Sequence, residues 1–299
     1  MCIFSRPIDK VGQTRIFAAT LTGGRQVIVY ANSVASSAQK NAMILPFPTG
    51  PCAMFDTTGM KGPGSSIPFF DRLHDMFHPK TRSPEPAQAL RVDRVGDFLC
   101  SYADSIADLE RVDASVMIVE PDTLEFIKRS YPTGFGFLIC KLAEGVTNEH
   151  AYSPIGYVCN RLPTASGGSL FVPTMHEHGS ASSGSAAGGG PAAGPVLGEG
   201  AEPEWDHDIY VVGVSVEPGM KYFYVPKSRA ERNAVKMCPE YKTAEDRGGW
   251  WDNTLFHIFV MLPEEVFDQR DRRPVSRAIH YMRRLGRFPN GDLILEVDP

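Results

Sequence analysis

Between residues 14 and 47 three runs rich in β-branched, aromatic and aliphatic side chains, Thr14 to Thr20, Arg25 to Ala31 and Asn41 to Phe47, are separated only by Gly23-Gly24 and a short Ser/Ala stretch. Runs this short, punctuated by turn residues, leave room for strands and not for helices of ordinary length, so a β-meander is expected at the N-terminus. The same texture recurs at Gly96 to Tyr102, Phe135 to Leu142, Ile155 to Asn160, Gly168 to His178, Ile209 to Val216, Tyr222 to Val225, Thr254 to Leu262 and Leu293 to Val297. Short connections predict that Phe135 to Leu142 and Ile155 to Asn160 lie side by side in one sheet.

Helical spacing is confined to a few places. Phe69, Phe70, Leu73, Met76 and Phe77 mark one helix that Pro79 should stop, and Pro121 starts another carrying Leu124, Phe126 and Ile127. An Asp-capped turn is expected near Asp104 to Glu110. A third helix is expected from Pro274, with Val275, Ala278, Ile279, Met282 and Leu285 as its apolar stripe and Gly286 as its stop. The expected fold is therefore α+β: largely antiparallel β-sheets, two packed sheets being one arrangement, with a few flanking helices. A single domain over 1–299 is expected, with a disordered insertion at about 180–203, where Ser, Ala, Gly and Pro dominate and too little apolar surface exists to offset ordering entropy.

The chain has 299 residues, 42% of them hydrophobic, and a formal net charge of −5. Such a balance lacks the clustered excess of Lys and Arg that general nucleic-acid binding needs. No stretch approaches the roughly 20 apolar residues that span a bilayer, and no export signal is recognisable, so a cytoplasmic location is expected. The six cysteines have no CxxC spacing and read as reduced, mostly buried thiols. No Walker loop, strand-coupled GxGxxG or GxSxG elbow occurs, which argues against a nucleotide cofactor and against serine hydrolysis.

Several phrases, Met1-Cys2-Ile3-Phe4-Ser5, Asn41-Ala42-Met43-Ile44-Leu45-Pro46-Phe47-Pro48, Val95-Gly96-Asp97-Phe98 and Leu170-Phe171-Val172-Pro173-Thr174 with the histidines after it, together resemble an uncharacterised group of microbial proteins. The order of these elements is also similar to that of a bacterial domain of unknown function. The resemblance covers roughly residues 1–178 and implies a fold without implying an activity.

The chemistry that stands out is a histidine cluster. His176 and His178 are two apart, which on a strand places both on one face, and Asp206-His207-Asp208 follows beyond the low-complexity stretch. If Gly168 to His178 and Ile209 to Val216 pair as a hairpin, His176, His178 and His207 can supply three ligands to a divalent metal such as zinc. Asp206 or Asp208 would then be a fourth ligand or an orienting carboxylate, and Glu177 would face away. Metal-assisted hydrolysis is the natural activity of such a site. The alternative is a polar strand end beside a solvated loop.

Two further readings compete. Removal of Met1 would leave Cys2 as an N-terminal thiol nucleophile, the way N-terminal-nucleophile amidohydrolases begin, with Arg15 or Asp9 near it on the following strand; the usual Arg and Asp motifs of those enzymes are not recognisable here. A non-catalytic interaction module would instead use the basic side of the helix after Pro274, where Arg277, His280 and Arg284 align at helical intervals to dock an anion or an acidic protein partner. Trp250 and Trp251 suggest an aromatic platform, with one of the two in the core.

Overall fold

The structure is a computed structural model that describes residues 2–57, 60, 69–77, 98–112, 114, 117–142, 149–164, 168–177, 204–214, 221–224, 278–287 and 290–297. In chain order its elements are β1 (Cys2–Phe4), β2 (Lys10–Thr20), β3 (Arg25–Ala35), β4 (Ala42–Pro48), β5 (Ala53–Phe55), α1 (Phe69–Phe77), β6 (Leu99–Ala103), α2 (Ile106–Leu109), α3 (Pro121–Ser130) and β7 (Phe135–Lys141). They continue with β8 (His150–Ala151), β9 (Ile155–Asn160), β10 (Leu170–Val172), β11 (His176–Glu177), β12 (Glu204–Val212), β13 (Lys221–Tyr224), β14 (Ala278–Arg287) and β15 (Leu293–Leu295).

The described residues are rich in strands, with few helices. A five-stranded sheet has the order β11-β1-β4-β7-β6, an eight-stranded sheet runs β13-β14-β12-β2-β3-β9-β5 with β8 against β3, and β10 pairs with β15. Most ladders are antiparallel. The β1–β11 and β2–β12 pairs are parallel, so both larger sheets are mixed.

Alternation explains why the eight-stranded sheet is covered on both faces. Ile16, Ala18, Ile28, Tyr30, Ile209 and Val211 point into a core that also takes in Ile3, Ile44, Leu138 and Cys140 of the five-stranded sheet and Ile127 of α3. Their neighbours Phe17, Ala19, Val27, Val29, Tyr210, Val212, Ile279 and Tyr281 enter a second core, beneath Phe69, Phe70 and Leu73 of α1. Phe69 meets Phe17 edge-to-face at 5.2 Å, and Arg15 lies over the Phe70 ring while its guanidinium donates to Asp71 at 2.9 Å. A strand buried on both faces reads as a continuous apolar run, the pattern seen at Ile16 to Ala19 and Val27 to Ala31.

Local chemistry places the turns. Gly23 and Gly24, with φ of 64° and 73°, form the tight β2–β3 connection in the left-handed region that glycine adopts without steric cost. Two glycines serve as seats for aromatic rings: Gly136 pairs with Phe47 across β7–β4, and Gly156 pairs with Phe55 across β9–β5. A Cβ on Gly136 would come within 2.6 Å of the Phe47 ring. Helix α3 starts at Pro121 as expected, whereas the turn before it is capped by Ser105, whose hydroxyl accepts from the Asp108 amide.

Four expectations are corrected. The N-terminal meander reduces to the β2–β3 hairpin, because β4 crosses to the five-stranded sheet beside β1 and β7. Strands β7 and β9 lie in different sheets. The hairpin between the histidine strand and β12 does not form: β11 pairs with β1, while β12 sits between β2 and β14. The helix expected after Pro274 is, over Ala278–Arg287, a strand. Its apolar residues at helical spacing are outweighed by nine ladder pairs with β12 and by burial of Ile279 and Tyr281 in the second core. The insertion at 180–203, Trp250 and Trp251, and the strand at 254–262 lie outside the described residues. No described helix is long and apolar enough to cross a membrane.

Candidate functional site

Although the expected hairpin is absent, His176 and His207 meet. Their rings are edge-to-face, with centroids 5.0 Å apart and planes at 76°. His207 shares the parity of Ile209 and Val211 on β12, so it points from the eight-stranded sheet into the shared core. His176 reaches the same place from β11, at the edge of the five-stranded sheet. Both are nearly closed to solvent, at 1% and 5% exposure. His280 pairs with Val211 across β14–β12 and is also buried.

Side chains that follow β11 in sequence set this position. Asn290 brackets the His176 peptide group, accepting from its N–H at 2.7 Å and donating to its C=O at 2.8 Å. Two residues later, Asp292 Oδ1 accepts from the N–H groups of Thr174 and Met175 at 2.7 and 2.8 Å, and Tyr131 donates to Oδ2 at 2.5 Å. Burial nevertheless raises the Asp292 carboxyl above its ordinary value, with the three hydrogen bonds opposing that shift. Burial, with the Asp292 charge beside it, raises the Tyr131 hydroxyl well above the usual range.

On its other side, β11 pairs with β1 so that Cys2 stands opposite His176. Strand β1 is anchored by buried Asn41. Its Oδ1 accepts from Ser5 Oγ at 3.1 Å and Arg6 N–H at 3.0 Å, and its Nδ2 donates to the carbonyls of Arg6 and Pro7. Gln26 performs a similar task on β10, donating to Phe171 C=O and accepting from Phe171 N–H, both at 2.9 Å. Sequence reasoning passed over these amides. The polar turn Asn290-Gly291-Asp292 before the last strand was the one visible sign of such a device.

The remaining candidates separate. Asp208 lies on the opposite strand face from His207, where it accepts from Tyr281 Oη at 2.7 Å and lies 3.8 Å from Arg283. Strand alternation therefore turns it away from the imidazoles. His178, and the side chains of Cys2 and Asp206, lie outside the described residues. Among the described residues, no group of three or more His, Cys, Asp or Glu could hold a metal. Arg15 donates to Asp71 and lies over the Phe70 ring, and Asp9 accepts from Ser37. The basic row of Arg277, His280 and Arg284 depended on helical spacing. On a strand the interval of four keeps one face, but that face carries buried His280 into the core; Arg277 and the Arg284 side chain lie outside the described residues.

What the arrangement offers chemically is a pair of enclosed imidazoles at the junction of two sheets, next to the first strand of the chain. No protein-family model and no curated protein sequence matches this chain. Its fold is similar to that of baculovirus p35, with a TM-score of 0.50 at 10% identity over 99% of this chain and 99% of that chain. Two further solved structures of p35 are also similar. A mutated p35 after caspase cleavage has a TM-score of 0.44 at 12% identity, over 96% of this chain and 99% of that one. A caspase-8/p35 complex has a TM-score of 0.44 at 11% identity, over 96% of both. At these identities the likeness is one of fold.

Proposed function

We propose that this chain is a protein-interaction protein whose partner is a cysteine protease of the caspase class. The observation that carries the reading is the fold correspondence with p35 along 99% of both chains. Caspase binding and cleavage belong to p35 and are transferred here as a hypothesis. The mixed-sheet architecture suits it: the edge strand β6 is exposed at Leu99 and Tyr102, 74% and 45% respectively, offering surface to a macromolecule. The test is to incubate purified full-length protein with active caspase-8 and follow hydrolysis of a fluorogenic peptide, with gel filtration and intact mass alongside. Loss of protease activity near one equivalent, with co-elution of the two chains, is the expected result. Full activity at tenfold excess with separate elution would overturn the reading for this protease.

A second reading, a divalent-metal centre with hydrolytic chemistry, is favoured by the 5.0 Å contact between His176 and His207. It requires a third donor from His178 or Asp206. Metal analysis of the purified protein beside a His176→Ala/His207→Ala variant tests it: stoichiometric zinc lost in the variant supports it, and equal metal in both sinks it.

A further inference from the structure

We propose that Cys100 and Cys140 form a reversible disulfide across the β6–β7 ladder, making this edge of the five-stranded sheet a site of oxidative modification. The two residues are direct partners in the antiparallel register, and their Sγ atoms are 3.4 Å apart. Directly opposed residues in such a ladder have Cα atoms about 4.5–5.5 Å apart, within the roughly 4.4–6.8 Å that a disulfide spans. Bond formation therefore needs side-chain rotation without strand separation.

The two thiols are differently disposed. Cys100 is half-buried on the edge strand, and contact with Cys140 lowers its pKa, so it is the thiol that ionises and meets a reagent. Cys140 is buried, and burial holds its thiol well above the ordinary range. Cys52, also half-buried, is pushed up to about 12 by burial, which makes it a poor competitor.

With a small disulfide such as oxidised glutathione as oxidant, Cys100 thiolate attacks one glutathione sulfur. The glutathione S–S bond breaks, a mixed disulfide forms and one glutathione thiolate leaves. Cys140 then gives up its proton and attacks Cys100 Sγ, expelling the second glutathione, which takes that proton. Two protein thiols are oxidised and one glutathione disulfide is reduced to two thiols.

The experiment uses full-length protein equilibrated in glutathione buffers of increasing oxidation, quenched with acid, alkylated and mapped as peptides by mass spectrometry. The expected product is a Cys100–Cys140 linked peptide pair lighter by two hydrogens, reversed by dithiothreitol and retained in Cys52→Ser. Closing the loop between the two residues should also raise the thermal midpoint by on the order of 5 °C, a shift absent in Cys100→Ser. Any of three maps overturns the proposal: Cys100 carrying glutathione alone, Cys100 or Cys140 paired to Cys52, or both thiols unmodified in the most oxidising buffer. The wild-type map decides the question even if a variant folds poorly.

Discussion

At the scale of single residues, the site is held by amides and one carboxylate that act on backbone groups, more than by the histidines that drew attention. Asp292 carries a clear consequence. Burial raises its carboxyl, so the folded protein keeps this proton to higher pH than the unfolded chain does. Its contribution to stability is greatest below the unfolded value of about 4 and declines as pH rises through the folded value. Asp292→Asn preserves an oxygen acceptor for Thr174 and Met175 and removes the ionisation. The stability of the natural protein relative to this variant, from urea titrations across pH 3 to 8, should fall with rising pH; a flat or rising difference would contradict the assignment. Gln26 offers a second test. Gln26→Ala leaves the buried N–H and C=O of Phe171 unpaired at about 1–3 kcal/mol each, so a loss of about 2–6 kcal/mol is expected in denaturant unfolding. A loss within 0.5 kcal/mol, by the roughly surface-neutral standard, would show that the pairing is dispensable.

At the scale of elements, strand edges and ring seats decide how the sheets close. Gly136 is needed because the Phe47 ring and the Ala103 carbonyl occupy the space where a Cβ would stand. Gly136→Ala should therefore cost about 1–3 kcal/mol by overpacking, and Phe47→Leu in the same chain should recover part of that loss. Strictly additive losses in the double-mutant cycle would count against a direct clash. Strand β14 shows how an element can be misread. Its apolar residues fit a helical stripe and a strand packed on both faces about equally well, and nothing local separates the two. The partner β12, more than sixty residues earlier in the chain, makes the choice. By contrast α1, α3, β2 and β3 were legible: a dense aromatic stripe at helical spacing marks α1, a proline at the first helical position starts α3, and a glycine pair between two dense β-branched runs sets β2 and β3.

At the scale of the whole molecule, the first core joins both large sheets, with Cys140 on the five-stranded sheet and Cys159 on the eight-stranded sheet in one cluster. Such a shared core predicts that the two sheets unfold together. Pulse-labelling of Cys140 and Cys159 across a urea gradient should give coincident transitions, and separate midpoints would show that the sheets are independent units. The sequence by itself determined a strand-rich chain with few helices, the positions of most short strands, and His176 and His207 as residues to watch. Those features depend on side-chain period and turn chemistry, which are local. Only the tertiary structure decided which strands share a sheet, that β11 joins β1 instead of β12, and that Asp208 faces away from the imidazoles while Asn290 and Asp292 fix the strand end that carries His176. Pairing between distant segments follows from which faces can be buried together, a property of the assembled sheets that no window of sequence contains.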